Sequence, residues 1–328
     1  MRFYLGTHQP DWLFHLNHQW FERDQVPLFV SHRRLADRRT LFPANTPWAL
    51  DSGGFTEISM YGRWVTSPDS YAADVRRYRD EIGRLEWAAP QDWMCEPQML
   101  TKTGLTVADH QERTTANLLE LRTLAPDLPW VPVLQGWEPD DYRRHADLYQ
   151  SAGIDLTTEP VVGLGSVCRR QSTTAVHRLV EELAAAGLRL HGFGFKTLGL
   201  RKVGHLLASA DSLAWSLHAR RRPAMAECFD RHDHCGNCPR FATVWRRQLL
   251  DSLTPPPAPS ASAARAIGTP CPTRTTARPS PSTSGKSTPT PRENSASETS
   301  TGQPEPPKPP TGKSATSRAT SRSQTVPC

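Results

Sequence analysis

Nowhere does the chain run for the ~18 consecutive apolar residues that a membrane-crossing helix requires, so a helical span is excluded. The N-terminus lacks a long apolar core as well. It runs directly into Arg2-Phe3-Tyr4-Leu5-Gly6, so no secretory leader is expected. Cysteine is sparse, odd in number (seven) and partly clustered, which speaks against a disulfide framework and for a reducing, cytoplasmic setting. From residue 254 to the end there is no Phe, Trp or Tyr. A segment built from Pro, Ser, Thr and Gly with scattered Arg and Lys cannot bury enough apolar surface to offset its ordering entropy, so 253–328 reads as a disordered basic tail.

The rest of the chain also lacks net charge. Of 39 basic and 33 acidic residues, the tail holds nine and three, which leaves 30 of each for residues 1–252. The basic pI therefore belongs to the tail and does not describe the partner of the domain. A flexible basic tail can add weak, salt-sensitive attraction to nucleic acid, or serve only as a solvated appendage.

What remains is one domain over 1–252, of a size common for α/β barrels. Short apolar runs alternate with helical patterns along it. Strands are expected at Phe3–Leu5, Val26–Val30, Trp48–Leu50, Leu85 onward to Trp93, Trp130–Leu134, Pro160–Ser166, Leu188–Gly194 and Ala210–Trp215. Helices are expected from Ser67-Pro68 to about Ile82, then over 106–124, 139–151, 174–186, 198–207 and 239–250. Eight strands alternating with helices predict a (β/α)8 TIM-like barrel with a small C-terminal zinc-binding segment.

Polar residues and glycines recur where these strands end: Asp51, Asp92, Gln135, Gly165 and Gly194. In a barrel of this type that rim carries the chemistry. Asp51-Ser52-Gly53-Gly54 follows a buried run, and its paired glycines let backbone approach a ligand. Alone, Asp51 could equally be a turn aspartate bonding its own backbone. Asp211 has two readings of similar weight, a rim carboxylate or a cap for the helix that follows. His8, His32 and His191 fall at strand exits, and Arg169, Arg170 and Lys196 could hold phosphates or simply be solvated.

Cys228, Cys235 and Cys238 share one short segment. Cys235-Gly-Asn-Cys238 has the tight-knuckle spacing by which two thiolates grip one Zn²⁺, and a third Cys with a His would complete a tetrahedral, closed, structural site. His234 is taken as the fourth ligand, with His232 the local alternative and His218 and His205 more distant ones.

Asp51-Ser-Gly-Gly-Phe55, Gly62-Arg63 before Ser67-Pro68, Asp92, Val133-Leu-Gln-Gly136, Gly163-Leu-Gly-Ser166 and Asp211 occur in the order in which similar elements occur in tRNA-guanine transglycosylases. The resemblance is closer to the DNA-acting branch, the deazapurine DNA-modification (7-deazaguanine transglycosylase) family. It is carried by Gly163–Arg170, His191–Lys196 and Ala210–Ser216, and it extends over about residues 1–250. The Cys-x6-Cys-x2-Cys spacing and the absence of a recognisable RNA-binding domain after the barrel set the chain apart from the tRNA enzymes.

That resemblance implies an exchange of guanine in DNA for a free 7-deazaguanine base, with 7-cyano-7-deazaguanine as the expected donor. Such an exchange with retention uses two carboxylates. By resemblance Asp211 is the nucleophile and Asp51 the general acid/base, while Asp92, Gln135, Gly165, Ser52, Gly53 and Gly194 form the base pocket. The base must leave the stack to be reached, so an accessory protein that opens DNA is a further expected partner. The alternatives are the same chemistry on tRNA, a barrel hydrolase, and an inactive barrel that only binds nucleic acid.

Overall fold

The computed structural model describes residues 1–14 and 26–253, so the tail expected from 253 lies outside the described residues after Leu253. The strands follow the apolar runs: β1 (Arg2–Thr7), β2 (Leu28–Ser31), β3 (Trp48–Asp51), β4 (Leu85–Ala88), β5 (Val133–Leu134), β6 (Val162–Leu164), β7 (Leu190–Gly192) and β8 (Ser209–Ser212). They form one eight-stranded parallel sheet in the order β4-β3-β2-β1-β8-β7-β6-β5. Parallel neighbours need crossovers, and helices provide them: α1 (Gly54–Tyr61), α2 (Pro68–Glu81), α3 (Pro97–Thr103), α4 (Val107–Leu124), α5 (Pro139–Ser151), α6 (Thr174–Ala185), α7 (Thr197–Val203), α8 (Ala214–Arg220) and α9 (Pro239–Leu253). Their starts obey local chemistry. Ser67 Oγ accepts the Ser70 N–H ahead of Pro68, and Thr106 and Asp109 form a reciprocal capping box.

Side chains alternate across a strand, so each strand supplies two cores. Phe3 and Leu5, Leu28 and Val30, and Trp48 and Leu50 pack in the large core with the helices. Tyr4, Phe29, Ala49 and Trp87 point the other way into a small aromatic core. There Trp87 of β4 meets His191 of β7 with ring centroids 4.7 Å apart. Four strands stand between β4 and β7 in the sheet order. Laid flat at ~4.8 Å per strand they would be about 24 Å apart, so the sheet curls tightly on itself. Its two end strands approach through one parallel bridge: Ala88 N–H donates to Pro129 O (3.0 Å) and Val131 N–H to Ala88 O (3.2 Å), just ahead of β5.

Four expected strands end early, β6 at Leu164 and β7 at Gly192 by two residues each, and β4 and β8 by more. β4 stops at Ala88 rather than running to Asp92, because Pro90 has no N–H to give a ladder and Asp92 N–H turns back to Pro90 O (2.8 Å). β8 stops at Ser212 rather than Trp215, because Ser212 Oγ takes the Ala214 N–H (3.2 Å) and α8 begins. Asp211 is therefore a strand residue, and its neighbour Ser212 receives the first helical N–H. Helices α1, α3 and α8 are seven or eight residues long, too short for a 3.6-residue period to announce them.

Candidate active site

The alternation that turns Ala49 into the small core turns Asp51, two residues on, to the same side at the strand's end. Ser209 and Asp211 repeat this in β8. Together with Asp92, Gln135, Glu96 and Ser166 these two carboxylates line a cavity of about 310 Å³ at the C-terminal ends of the strands. Gly165 and Gly194 line it as well. That volume is at the lower end of the range typical of small-molecule sites.

Asp92 is engaged through both carboxylate oxygens. Ser52 Oγ donates to its Oδ1 (3.0 Å) and Gln135 Nε2 to its Oδ2 (2.6 Å). Ser166 Oγ lies 2.7 Å from Gln135 Oε1 and 2.8 Å from Glu96 Oε2, and accepts the Cys95 N–H at 2.7 Å. One hydroxyl proton cannot serve both oxygens at once. The Gln135 backbone is fixed as well, since Gln111 Nε2 donates to its carbonyl (2.7 Å) and its N–H donates to His145 Nδ1 (2.9 Å). Burial holds the His145 ring neutral, with a pKa lowered to about 3, which lets Nδ1 accept.

Burial pushes the Asp92 carboxyl up to about 7, and the negative charge of Asp51 adds to the rise against the two hydrogen bonds. Asp51 is raised too, first by burial and then by Asp211, although Ser31 and the Gly53 N–H hydrogen-bond its carboxylate. Asp211 Oδ1 accepts the Gly194 N–H at 2.8 Å. His191 Nε2, fully buried, faces the same oxygen at 3.4 Å and has no hydrogen-bond partner among the described residues, while its Nδ1 is 2.8 Å from Ser209 Oγ. The cavity thus brings together one carboxylate held by a backbone N–H, Asp211, and one whose pKa burial raises, Asp51.

The remaining expected residues serve the site in different ways. Ser52 acts through Asp92. Gly53, at φ 82, makes the left-handed turn that starts α1. Gly165 contributes by its missing side chain, since a Cβ there would stand 2.6 Å from Gln135 Cδ. Its N–H donates to Leu134 O and its carbonyl accepts from Tyr142 Oη, both at 2.9 Å. His32 is buried and paired with Asp74 (2.9 Å), and His191 is fully buried, so neither is a solvated rim residue. Arg169 stacks over Phe55 and Arg170 over Trp137.

Sequence reasoning gave no role to Glu96, Ser166 or Ser31, and it did not pair His191 with Asp211. Ser166 stood in a quoted motif, and Glu96 before Pro97 has the look of an ordinary helix-start acid.

In the cysteine segment, the ligand atoms of Cys228, His232, Cys235 and Cys238 all lie within 4.8 Å of one another. Tetrahedral Zn–S bonds of ~2.3 Å would put sulfurs about 3.8 Å apart, and Cys228 Sγ is 4.0 Å from Cys238 Sγ. His232 Nε2 is 3.3 Å from Cys235 Sγ. Burial and the neighbouring thiols raise Cys228 to about 11, the behaviour of a thiol cluster whose ionised form needs a cation. The donor set can therefore hold a metal ion. Of the two local histidines His232 stands in this group, while the expected His234 accepts the Gly236 N–H of the knuckle on its Nδ1 (3.2 Å).

The family model described as DpdA, DeoxyPurine in DNA protein A, matches residues 1–281. No curated protein matches the chain.

Proposed function

The chain belongs to the DpdA family of DNA-modification enzymes, and from that premise we propose that it is a DNA-guanine transglycosylase, replacing guanine in DNA with a free 7-deazaguanine base, 7-cyano-7-deazaguanine being the first candidate. The observation that carries this reading is the convergence of Asp51, Asp92 and Asp211 on one cavity, with Asp51 and Asp92 raised toward neutrality.

In this reading Asp211 attacks C1′ of a flipped deoxyguanosine. The C1′–N9 bond breaks, its electron pair leaves on the base, and Asp51 supplies the proton that neutralises guanine. The covalent glycosyl-aspartate then meets the incoming base. Asp51 takes the N9 proton, N9 attacks C1′, and the ester to Asp211 breaks, so two inversions give net retention. The Gly194 N–H and His191 stabilise the Asp211 carboxylate as it leaves. Asp92, oriented by Ser52 and Gln135, accepts N–H groups of the base's edge. Cys228, His232, Cys235 and Cys238 would hold Zn²⁺ as a structural ion in the segment between α8 and α9. The curled sheet is a (β/α)8 barrel closed at the Ala88–Trp130 bridge. The reaction belongs to the cytoplasm, and a protein that opens the duplex would supply the extruded base.

The test is mass spectrometry of digested DNA after incubation with the protein and 7-cyano-7-deazaguanine, beside a tRNA control. A deazaguanosine in DNA that disappears with Asp211→Ala is expected. Full exchange by Asp211→Ala, or no trappable adduct on the wild type, would refute the assigned nucleophile, and modification of tRNA alone would refute the polymer.

A further inference from the structure

A second cavity, of about 630 Å³, is lined by His8, Arg33, Arg34, Arg38, Arg220 and Asn237, with Gln9, Pro10 and Asp37 between them. His8 lines the active-site cavity too, so the two meet at that side chain. Four guanidiniums face one aspartate here. Arg38 is already held by Asp11 (2.5 Å), whereas among the described residues no carboxylate pairs with Arg33, Arg34 or Arg220. Arg34 lies 3.4 Å from His8 Nδ1, and the imidazole is kept neutral by burial and by the charges of Arg34 and Arg220.

Two of these arginines are seated on glycines. A Cβ on Gly53 would stand 2.8 Å from Arg33 Cγ, and one on Gly236 would stand 2.6 Å from Arg220 Cγ and 3.0 Å from its Nε. The first glycine belongs to the Asp51 turn and the second to the Cys235–Cys238 knuckle, which also contributes Asn237 to the cavity wall. The knuckle is fixed to α8, with Ser216 Oγ donating to Gly236 O at 2.6 Å. Arg220 is therefore aimed by the cysteine segment, and Arg33 by the turn that carries Asp51.

We infer that this groove binds the DNA backbone phosphates beside the extruded nucleotide, and that the knuckle holds Arg220 and Asn237 to it. The inference rests on the reading that DNA delivers a nucleotide to the active-site cavity. Planar, always-charged forks in a polar groove suit phosphate oxygens, and His8 marks the place where a backbone would pass from one cavity to the other.

The test is binding, which needs no turnover. The full chain carrying Asp211→Ala is titrated with a fluorescent single-stranded DNA oligonucleotide containing one guanine, across a range of salt. Arg34→Ala and Arg220→Ala are each expected to weaken Kd and to lower the slope of log K against log [salt] by about one. Arg189→Ala, at the opposite end of the sheet, is expected to leave the slope unchanged. Neutral methylphosphonates flanking the guanine should abolish the difference between Arg34→Ala and its parent.

Unchanged slopes in both arginine variants, with metal content and melting temperature intact, would overturn the inference. An equal loss in Arg189→Ala would do the same, and so would an RNA oligonucleotide bound more tightly with the same arginine dependence. Absence of base exchange by the chain with Asp211 intact, beside the expected slopes in the Asp211→Ala background, would defeat the transglycosylase reading and leave the groove standing.

Discussion

Asp92→Asn isolates the electrostatic cost of the site. The folded pKa of Asp92 is about 7, against an ordinary value of 3.8. A carboxyl with a raised folded pKa holds a proton in the native state that the unfolded chain has already released. Native protein therefore binds more protons between about pH 4 and pH 7, and stability falls as pH rises through that window. At 1.36 kcal/mol per unit, three units set an upper bound of about 4 kcal/mol, reached above pH 7. Asparagine has the same shape and no charge. Its Oδ1 can keep the Ser52 hydrogen bond, and Gln135 can flip its amide so that Oε1 accepts from the introduced amide while Nε2 donates to Ser166, whose proton then goes to Glu96. The variant should match wild type near pH 4, exceed it above pH 7, and show a shallower decline between. Urea unfolding at a series of pH values measures this directly. Base exchange should drop roughly 10–100-fold from the lost charge-assisted hydrogen bonds. An unchanged pH slope, or equal destabilisation at every pH, would refute the claim that Asp92 is held near neutrality by burial and Asp51.

Gly165→Ala should displace the Gln135 amide, at a cost of about 1–3 kcal/mol in stability, and raise KM for the free base; full activity at unchanged KM would show that the amide is not needed where it stands. His232→Ala should lose the bound metal and His234→Ala should keep it, as read by metal analysis of the purified protein. Cys235→Ser should lower Tm by roughly 6–12 °C, the equivalent of losing about 3 kcal/mol in a domain of this size, and a metal-free wild type with the same Tm would refute a structural role.

Some strand exits, such as that of β3, were legible in the sequence because their signals are local. An apolar run interrupted by Asp51-Ser-Gly-Gly marks the end of β3, and Cys235-Gly-Asn-Cys238 marks a knuckle, whatever surrounds them. Helix starts such as Ser67-Pro68 and Thr106 through Asp109 needed only neighbouring residues. Period-two alternation in β3 likewise puts Asp51 on the face of Ala49, whereas Asp211 stayed open between a rim carboxylate and a helix cap until β8 was seen to run Ser209–Ser212.

Tertiary structure decided what those side chains meet. The curl of the sheet brings Trp87 to His191 and collects Asp51, Asp92 and Asp211 around one cavity, where burial first and the neighbouring carboxylates second raise Asp51 and Asp92. Glu96 and Ser166 joined the site through contacts 70 residues apart in the chain. Which of His232 and His234 stands among the three thiols likewise depends on how the knuckle folds, with the Gly236 N–H engaging the His234 ring. Spacing along a chain fixes which residues can share an element. Proton affinity, metal ligation and the sharing of one cavity depend on distances through space between elements, and these exist only once the sheet has curled.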